Sequence, residues 1–374
     1  MTEPSMARYY INAARIKYHV LHALFKDVTI DSDVVNLYID LHAIFYRMYR
    51  NDRVASICSV NESSLVMDIV ISTLNTIGHY RRYIATHLKK SNRIFLFFNR
   101  KLATYQTKHY ADYAKNYYDM YSNDHPEYSP ITKAIKKAFK LIAEIVPYLE
   151  GIYLVDNRGI DSSTAINYFR THKETKEQFN IIFSRNLNDA QMLTDENQIM
   201  LYNNRDDSFI LRNDNALKKW IKVNKRKIDI DPDITPNIIP FFLILSGDST
   251  TGMKSKYCRG ISTAAKVINK MWNHQILSEH TSVQMFIDTV WEYLKGDFGS
   301  EDDRKDIKSK FMALNIPTAT KALSNAQKMK LESNLYDLYD VAGLESLNED
   351  MIEMNPESEI LDLYNLSMSI VSEV

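Results

Sequence analysis

Two aspartates in this chain stand at positions where chemistry is done in α/β proteins: Asp40 directly follows the apolar run 34–39 (VVNLYI), and Asp161 follows the run 151–155 after a short loop. A third acid, Asp248, follows Gly247 at the end of the apolar run 236–247. A carboxylate just past a buried strand lies at the carboxyl edge of a sheet, where open α/β folds bind ligands. The competing reading of Asp40 is a cap for the helix that follows it. Beyond the run 179–183 come more polar groups, Ser184, Asn186, Asn188 and Asp189. Asp156 stands near Asp161, and both Asp156 and Asp189 are spare acids; in the register drawn, Asp189 points away from the others.

Two further groups suit a phosphodiester chain. Lys254, Lys256 and Arg259 lie in a polar loop that turns at Gly260 into a helix at Ser262 and Thr263. Backbone N–H groups at such a helix start suit a phosphate. Lys101, Lys108 and Lys115 are interleaved with tyrosines that include Tyr113. Aromatic rings stack on bases and lysines neutralise phosphates, so this segment reads as a nucleic-acid contact surface. The competing reading is an amphipathic surface helix with its tyrosines partly buried.

The elements that must hold these groups follow from patterning. The runs 34–39, 93–98, 151–155 and 179–183 read as strands, the last two as parallel strands joined by a crossover helix over Ser162–Arg170. Residues 196–230 begin with a hairpin, QIMLY and SFILR joined by NNRDD, and end in a basic cluster (Lys218, Lys219, Lys222, Lys225, Arg226, Lys227). The spacing predicts helices over 6–26, 65–88 and 130–149 and a helical chain from 283 onward. The predicted organisation is an N-terminal helical extension (1–33), an α/β domain (34–235), a helical region (236–330) and an acidic helical tail (331–374).

Composition narrows the class. Apolar residues make 45% and charged residues 25% of 374, ordinary globular values that exclude wholesale disorder. No run is long and apolar enough to predict a membrane span, and the N-terminus lacks the layout of an export signal. Two cysteines, Cys58 and Cys258, are too few for a disulfide framework, so a reducing, cytoplasmic setting is expected. The net charge of −1 conceals a polarity: residues 331–374 hold eleven acids and no Lys or Arg, leaving 46 basic and 36 acidic residues in the remainder. A basic body with an acidic tail suits polyanion binding with a tail that competes for the same surface or contacts another protein; a plain solvated helix pair is the other reading. The abundance of Tyr (24), Ile, Asn and Lys fits an AT-rich genome, such as that of a virus or phage.

Taken in order, the motifs resemble those of the 5′-nuclease superfamily, the flap endonucleases and phage 5′-3′ exonucleases with a PIN-like fold. VVNLYIDLHAIFYRMYR resembles the opening strand, acid and helix, with Arg47 in register, and RIFLFFNRKLATYQTKHYADYAKNYY resembles the second strand and gateway, where Tyr113, Lys115 and Lys101 fit. GIYLVDNRGIDSSTAINYF, IIFSRNLNDAQML (with Gln191) and LSGDSTTGMKSKYCRGISTAAKVI are similar to the family's acidic helix start, its acidic turn and its Gly-Asp motif before a helix-three-turn-helix. The resemblance implies an α/β fold with a mainly parallel twisted sheet flanked by helices. It also implies a helix-three-turn-helix-like segment and two divalent metal ions held by carboxylates, which activate water and stabilise charge at the scissile phosphate.

The chain departs from that pattern at the acids. Asp40, Asp161 and Asp248 keep or replace an acid, whereas Asn99, Ser163, Thr164, Asn186, Asn188 and Thr251 stand where further acids are expected. Neutral groups can coordinate a cation but supply no charge to hold two cations close together. The expectation is therefore a catalytically degenerate 5′-nuclease-like protein that binds nucleic acid, DNA rather than RNA, or serves as a subunit of a nucleic-acid-handling complex. It would carry no metal cofactor. The alternatives are an active nuclease with one Mg²⁺ or Mn²⁺ on Asp40, Asp161 and Asp248, and a structural or virion-associated interaction protein. For a phage or viral protein the setting is the host cytoplasm or the virion.

Overall fold

A computed structural model of the chain describes residues 16–49, 62–98, 101–115, 129–172, 175–203, 208–224, 228, 230–231, 233–278 and 280–333. Asn99, the side chain of Arg47, basic residues 225–227 and the acidic tail from 334 onward lie outside them.

After helix α1 (Tyr18–Phe25) the chain enters β1 (Val34–Asp40), then α2 (Leu41–Tyr49) and α3 (Glu62–Arg82), which closes in a π turn at Tyr83–His87. Next come β2 (Ser91–Phe97), the short α4 (Thr104–His109), α5 (Ser129–Ile145) and β3 (Ile152–Val155). The expected crossover helix is α6 (Ser162–Arg170), leading to β4 (Phe179–Ser184) and a 3₁₀ turn at Leu187–Met192. β5 (Gln198–Asn203) and β6 (Ser208–Leu211) form the expected hairpin, followed by α7 (Ala216–Asn224). The rest is helical: α8 (Ile239–Ser246), α9 (Ile261–Asn273), α10 (Val283–Thr289), α11 (Glu301–Leu314), α12 (Ile316–Lys321) and α13 (Asn325–Glu332).

The six strands lie in the order β3-β2-β1-β4-β5-β6, all parallel except β6. β3 and β4 are thus not neighbours: their connection through α6 passes over β2 and β1. The order reverses between β1 and β4, and a crevice at the carboxyl ends of such a pair is where ligands bind in doubly wound sheets.

Both faces of the sheet are covered. Alternating residues of each strand divide between two apolar clusters, as a period of two requires. Leu37, Ile39, Leu96 and Ile181 face α1, α3 and α5; Tyr38, Phe95, Phe97 and Ile182 face α6 and the helices from α8 onward. α8 is apolar all round, and residues 239–245 are all buried, which places it in the middle of the second cluster. Asn36, the polar interruption in β1, ties the two central strands together. Its amide donates to Asn180 Oδ1 (3.1 Å) and Gln178 Oε1 (2.9 Å), and the Tyr38 hydroxyl also donates to Asn180 (3.1 Å). Among the described residues no helix is long and apolar enough to cross a membrane.

Candidate functional site

Four elements bring acids to the crevice between β1 and β4. Asp40 ends β1. One of its oxygens accepts the His42 N–H (3.0 Å), so the capping reading and the sheet-edge reading hold together. Asp161 is the N-cap of α6, accepting the Ser163 N–H at 3.1 Å, and the Tyr113 hydroxyl approaches its other oxygen at 3.4 Å. Asp248 follows the end of α8 in a tight loop and accepts from the N–H groups of Thr250 (3.2 Å) and Thr251 (2.9 Å) and from the Thr251 hydroxyl (2.7 Å).

The fourth acid is Asp189, and here the drawn register fails. The 3₁₀ turn, capped by Asn186 accepting the Asn188 N–H at 3.0 Å, swings Asp189 inward rather than away. It is only 1% exposed, and the hydroxyls of Ser163 and Ser184 each donate to one of its oxygens. Asp156, the other spare acid, is instead engaged by Arg158 (2.8 Å) and Lys330 (3.5 Å). Burial would raise its carboxyl, but those cations hold it below the usual range.

The remaining acids share one electrostatic environment. Burial pushes the Asp189 carboxyl up to about 7 against the two serine hydroxyls, with Asp161 and Asp248 adding to the rise. Burial first, then Asp189 and Asp161, holds Asp40 well above the usual carboxylate range. Asp161 is raised by burial too, although its hydrogen bonds oppose the shift. In Asp40 and Asp189 the rise comes from burial first and then from neighbouring like charges.

Five of the six neutral residues at the expected acid positions hold hydrogen bonds within the fold, and the sixth, Asn99, lies outside the described residues. Ser163 binds Asp189, Thr164 Oγ1 accepts the Gln106 amide (2.9 Å), and Thr251 binds Asp248. Asn186 caps the turn, while the Asn188 amide donates to the Leu314 carbonyl at the end of α11 (3.0 Å), where the Gln191 amide also donates (3.0 Å). Residues 112–114 are docked on the Asp248 loop: the Ala114 N–H donates to the Thr251 carbonyl (2.7 Å), and a Cβ on Gly252 (φ +69°) would lie 3.0 Å from the Asp112 carbonyl. That contact aims Tyr113 at Asp161.

Of the expected nucleic-acid residues, Lys101, Lys108 and Lys115 are exposed around this segment, and Tyr113 is buried. Lys254 and Arg259 are exposed on the loop before α9. Lys256 is held by Asp303 (2.8 Å), within the capping box that starts α11. Sequence reasoning missed Arg185, Tyr202 and Trp220, which wall a hollow of about 290 Å³ together with Asp40 and Asp248. Their signal was weak: Trp220 lies among lysines, and Tyr202 reads as an ordinary strand residue.

Five of the neutral side chains are committed to hydrogen bonds within the fold, and among the described residues no group of three or more His, Cys, Asp or Glu is gathered so as to hold a metal ion.

This arrangement is the α/β fold of the 5′-exonucleases and flap endonucleases. The chain is similar to the phage T5 5′-exonuclease with divalent metal ions (zinc) bound: TM-score 0.53, 11% identity, 82% of this chain and 98% of that one covered. A bacteriophage T5 flap endonuclease in a pseudo-enzyme–product complex with DNA and metal ions gives TM-score 0.48, 11% identity, 89% of this chain and 99% of that one. No protein-family model and no curated protein sequence matches the chain.

Proposed function

We propose that this protein binds nucleic acid, DNA in preference to RNA, on a 5′-nuclease scaffold whose cleavage chemistry has been largely given up. One observation carries the reading. Of the neutral residues at the expected acid positions, Thr164 and Asn188 are turned into the fold's own hydrogen bonds, Asn188 donating to the Leu314 carbonyl. Ser163, Asn186 and Thr251 line the crevice as neutral groups that bring no charge to it. In this reading 34–235 forms the cleft together with the Asp248 loop, 236–330 also grips backbone through Lys254 and Arg259, and 331–374 contacts another protein.

The test is binding of a 5′-overhang DNA duplex at low salt, with chelator or with Mn²⁺, alongside a cleavage assay. Salt-sensitive binding that is indifferent to the metal, without products, is the expected result. Metal-stimulated cleavage lost in Asp161→Ala would overturn it.

The second reading is a weak nuclease with a single ion on Asp40, Asp161 and Asp248. It is favoured by the position of Asp40, which lines one hollow with Asp161 and another with Asp248, and whose carboxyl is held above the usual range by burial and then by Asp189, a rise that a cation would relieve.

A further inference from the structure

The hollow beside the acids has more character than the mouth of a spent active site. It opens at the carboxyl ends of β1, β4 and β5 and is closed by α7, α8 and the first residue of α9. Its walls carry the half-buried carboxylates of Asp40 and Asp248 together with Tyr202, Trp220 and Arg185. Tyr202 is fixed from behind, stacked on Phe209 (centroids 5.0 Å apart), and Trp220 is fixed edge-on by Phe242 (6.1 Å). Trp220 nevertheless remains half-buried, with part of its ring left on the hollow.

We propose that this hollow receives one unpaired nucleobase, stacked on Trp220. Three properties of the walls select that occupant. A flat aromatic surface held rigid from behind suits a planar ring, and stacking on such a surface is a general way of holding bases. The carboxylates of Asp40 and Asp248 accept hydrogen bonds, so they suit a base edge rich in N–H donors and repel a phosphate. The volume, about 290 Å³, is at the lower limit of ligand-sized pockets, enough for a single nucleoside and too small for a stacked pair. Arg185 adds a positive charge to the wall of the hollow. The inference rests on the proposed nucleic-acid binding and adds which group of the strand the site reads.

The test uses the full chain and a fluorescently labelled duplex with a short 5′ overhang, plus versions carrying one abasic residue at each overhang position in turn. One position is expected to be special: removing its base weakens binding about fivefold or more. Trp220→Ala should weaken the intact duplex similarly and erase the difference between intact and abasic DNA, while Trp220→Phe, which keeps an aromatic face, should restore it. Unfolding midpoints of both variants separate loss of stacking from loss of fold. If the intact duplex binds in a salt-sensitive way but every abasic version binds equally well, the base pocket is wrong and the binding reading stands. If no duplex binds at low salt, both are wrong.

Discussion

The Ser163 hydroxyl, in the first turn of α6, donates a hydrogen bond to the buried carboxylate of Asp189, in the turn after β4. The resemblance to nucleases expects an acid at 163 and an acid at 188; the chain has a serine, an asparagine and an aspartate one residue further on. The acid of this turn thus stands one residue past the expected position, with a serine hydroxyl on each of its oxygens.

That arrangement gives a pH dependence. The Asp189 carboxyl keeps its proton up to about 7 in the folded protein because burial disfavours the anion, whereas an unfolded aspartate loses it near 4. Between those values the folded chain binds more protons than the unfolded one, so this group's stabilising contribution is full below about pH 4 and is lost as pH rises to about 7. Asp189→Asn mimics the protonated form. Its stability relative to the parent should increase by up to a few kcal/mol between about pH 5 and about pH 8 in denaturant titrations. A difference independent of pH would refute the assignment.

Putting an acid back at position 188 should not recover a nuclease. In Asn188→Asp a carboxylate oxygen would replace the N–H₂ that donates to the Leu314 carbonyl, leaving two acceptors face to face in a buried site. The expected cost is about 3 kcal/mol of folding stability, with no gain in Mn²⁺-dependent cleavage. Near-parental stability together with new cleavage would argue for the one-ion nuclease instead.

Gly252→Ala should disturb the crevice from a distance. Its backbone lies at φ +69°, and the added methyl would press on the Asp112 carbonyl at 3.0 Å. A loss of about 1–3 kcal/mol is expected. Nucleic-acid affinity should fall as well, because residues 112–114 carry Tyr113 to Asp161; thermal melts and binding titrations report the two effects separately.

Salt dependence distinguishes cations that are available from one that is engaged. Replacing Lys254 and Arg259 together by Ala should reduce the slope of log affinity against log salt by about two, one for each phosphate no longer neutralised. Lys256 is held by Asp303, whose carboxyl is drawn down to about 2 by Lys256 and then by Ser300. Lys256→Ala should therefore leave the slope near the parental value. An equal drop in slope from all three residues would show that the Asp303 ion pair yields to nucleic acid.

The strands, the crossover helix over Ser162–Arg170 and the β5–β6 hairpin were legible because each announces itself within about ten residues: an apolar run, then polar groups, then helical spacing. Asp40 was legible because it ends a strand at the sheet's carboxyl edge, whereas Asp161 reaches the crevice as the cap of α6 and Asp248 from a loop after the helix α8. What escaped was set by tertiary structure. The direction of Asp189 depends on a 3₁₀ turn that propensity does not mark, and the engagement of Lys256 depends on a partner in α11. The hollow at Trp220 exists only once α7 and α8 have packed beside β5.

The placement of β1 at the middle of the sheet sets a timetable for synthesis. Val35 must pair with Phe179, so the emerging chain carries β1 with one edge bare until nearly half of the protein has been made. Any fragment that stops before β4 presents a strand of seven residues, mostly apolar, as a template for other chains. Truncations ending between β3 and β4 should therefore aggregate, and the nascent protein has reason to depend on chaperones through that interval.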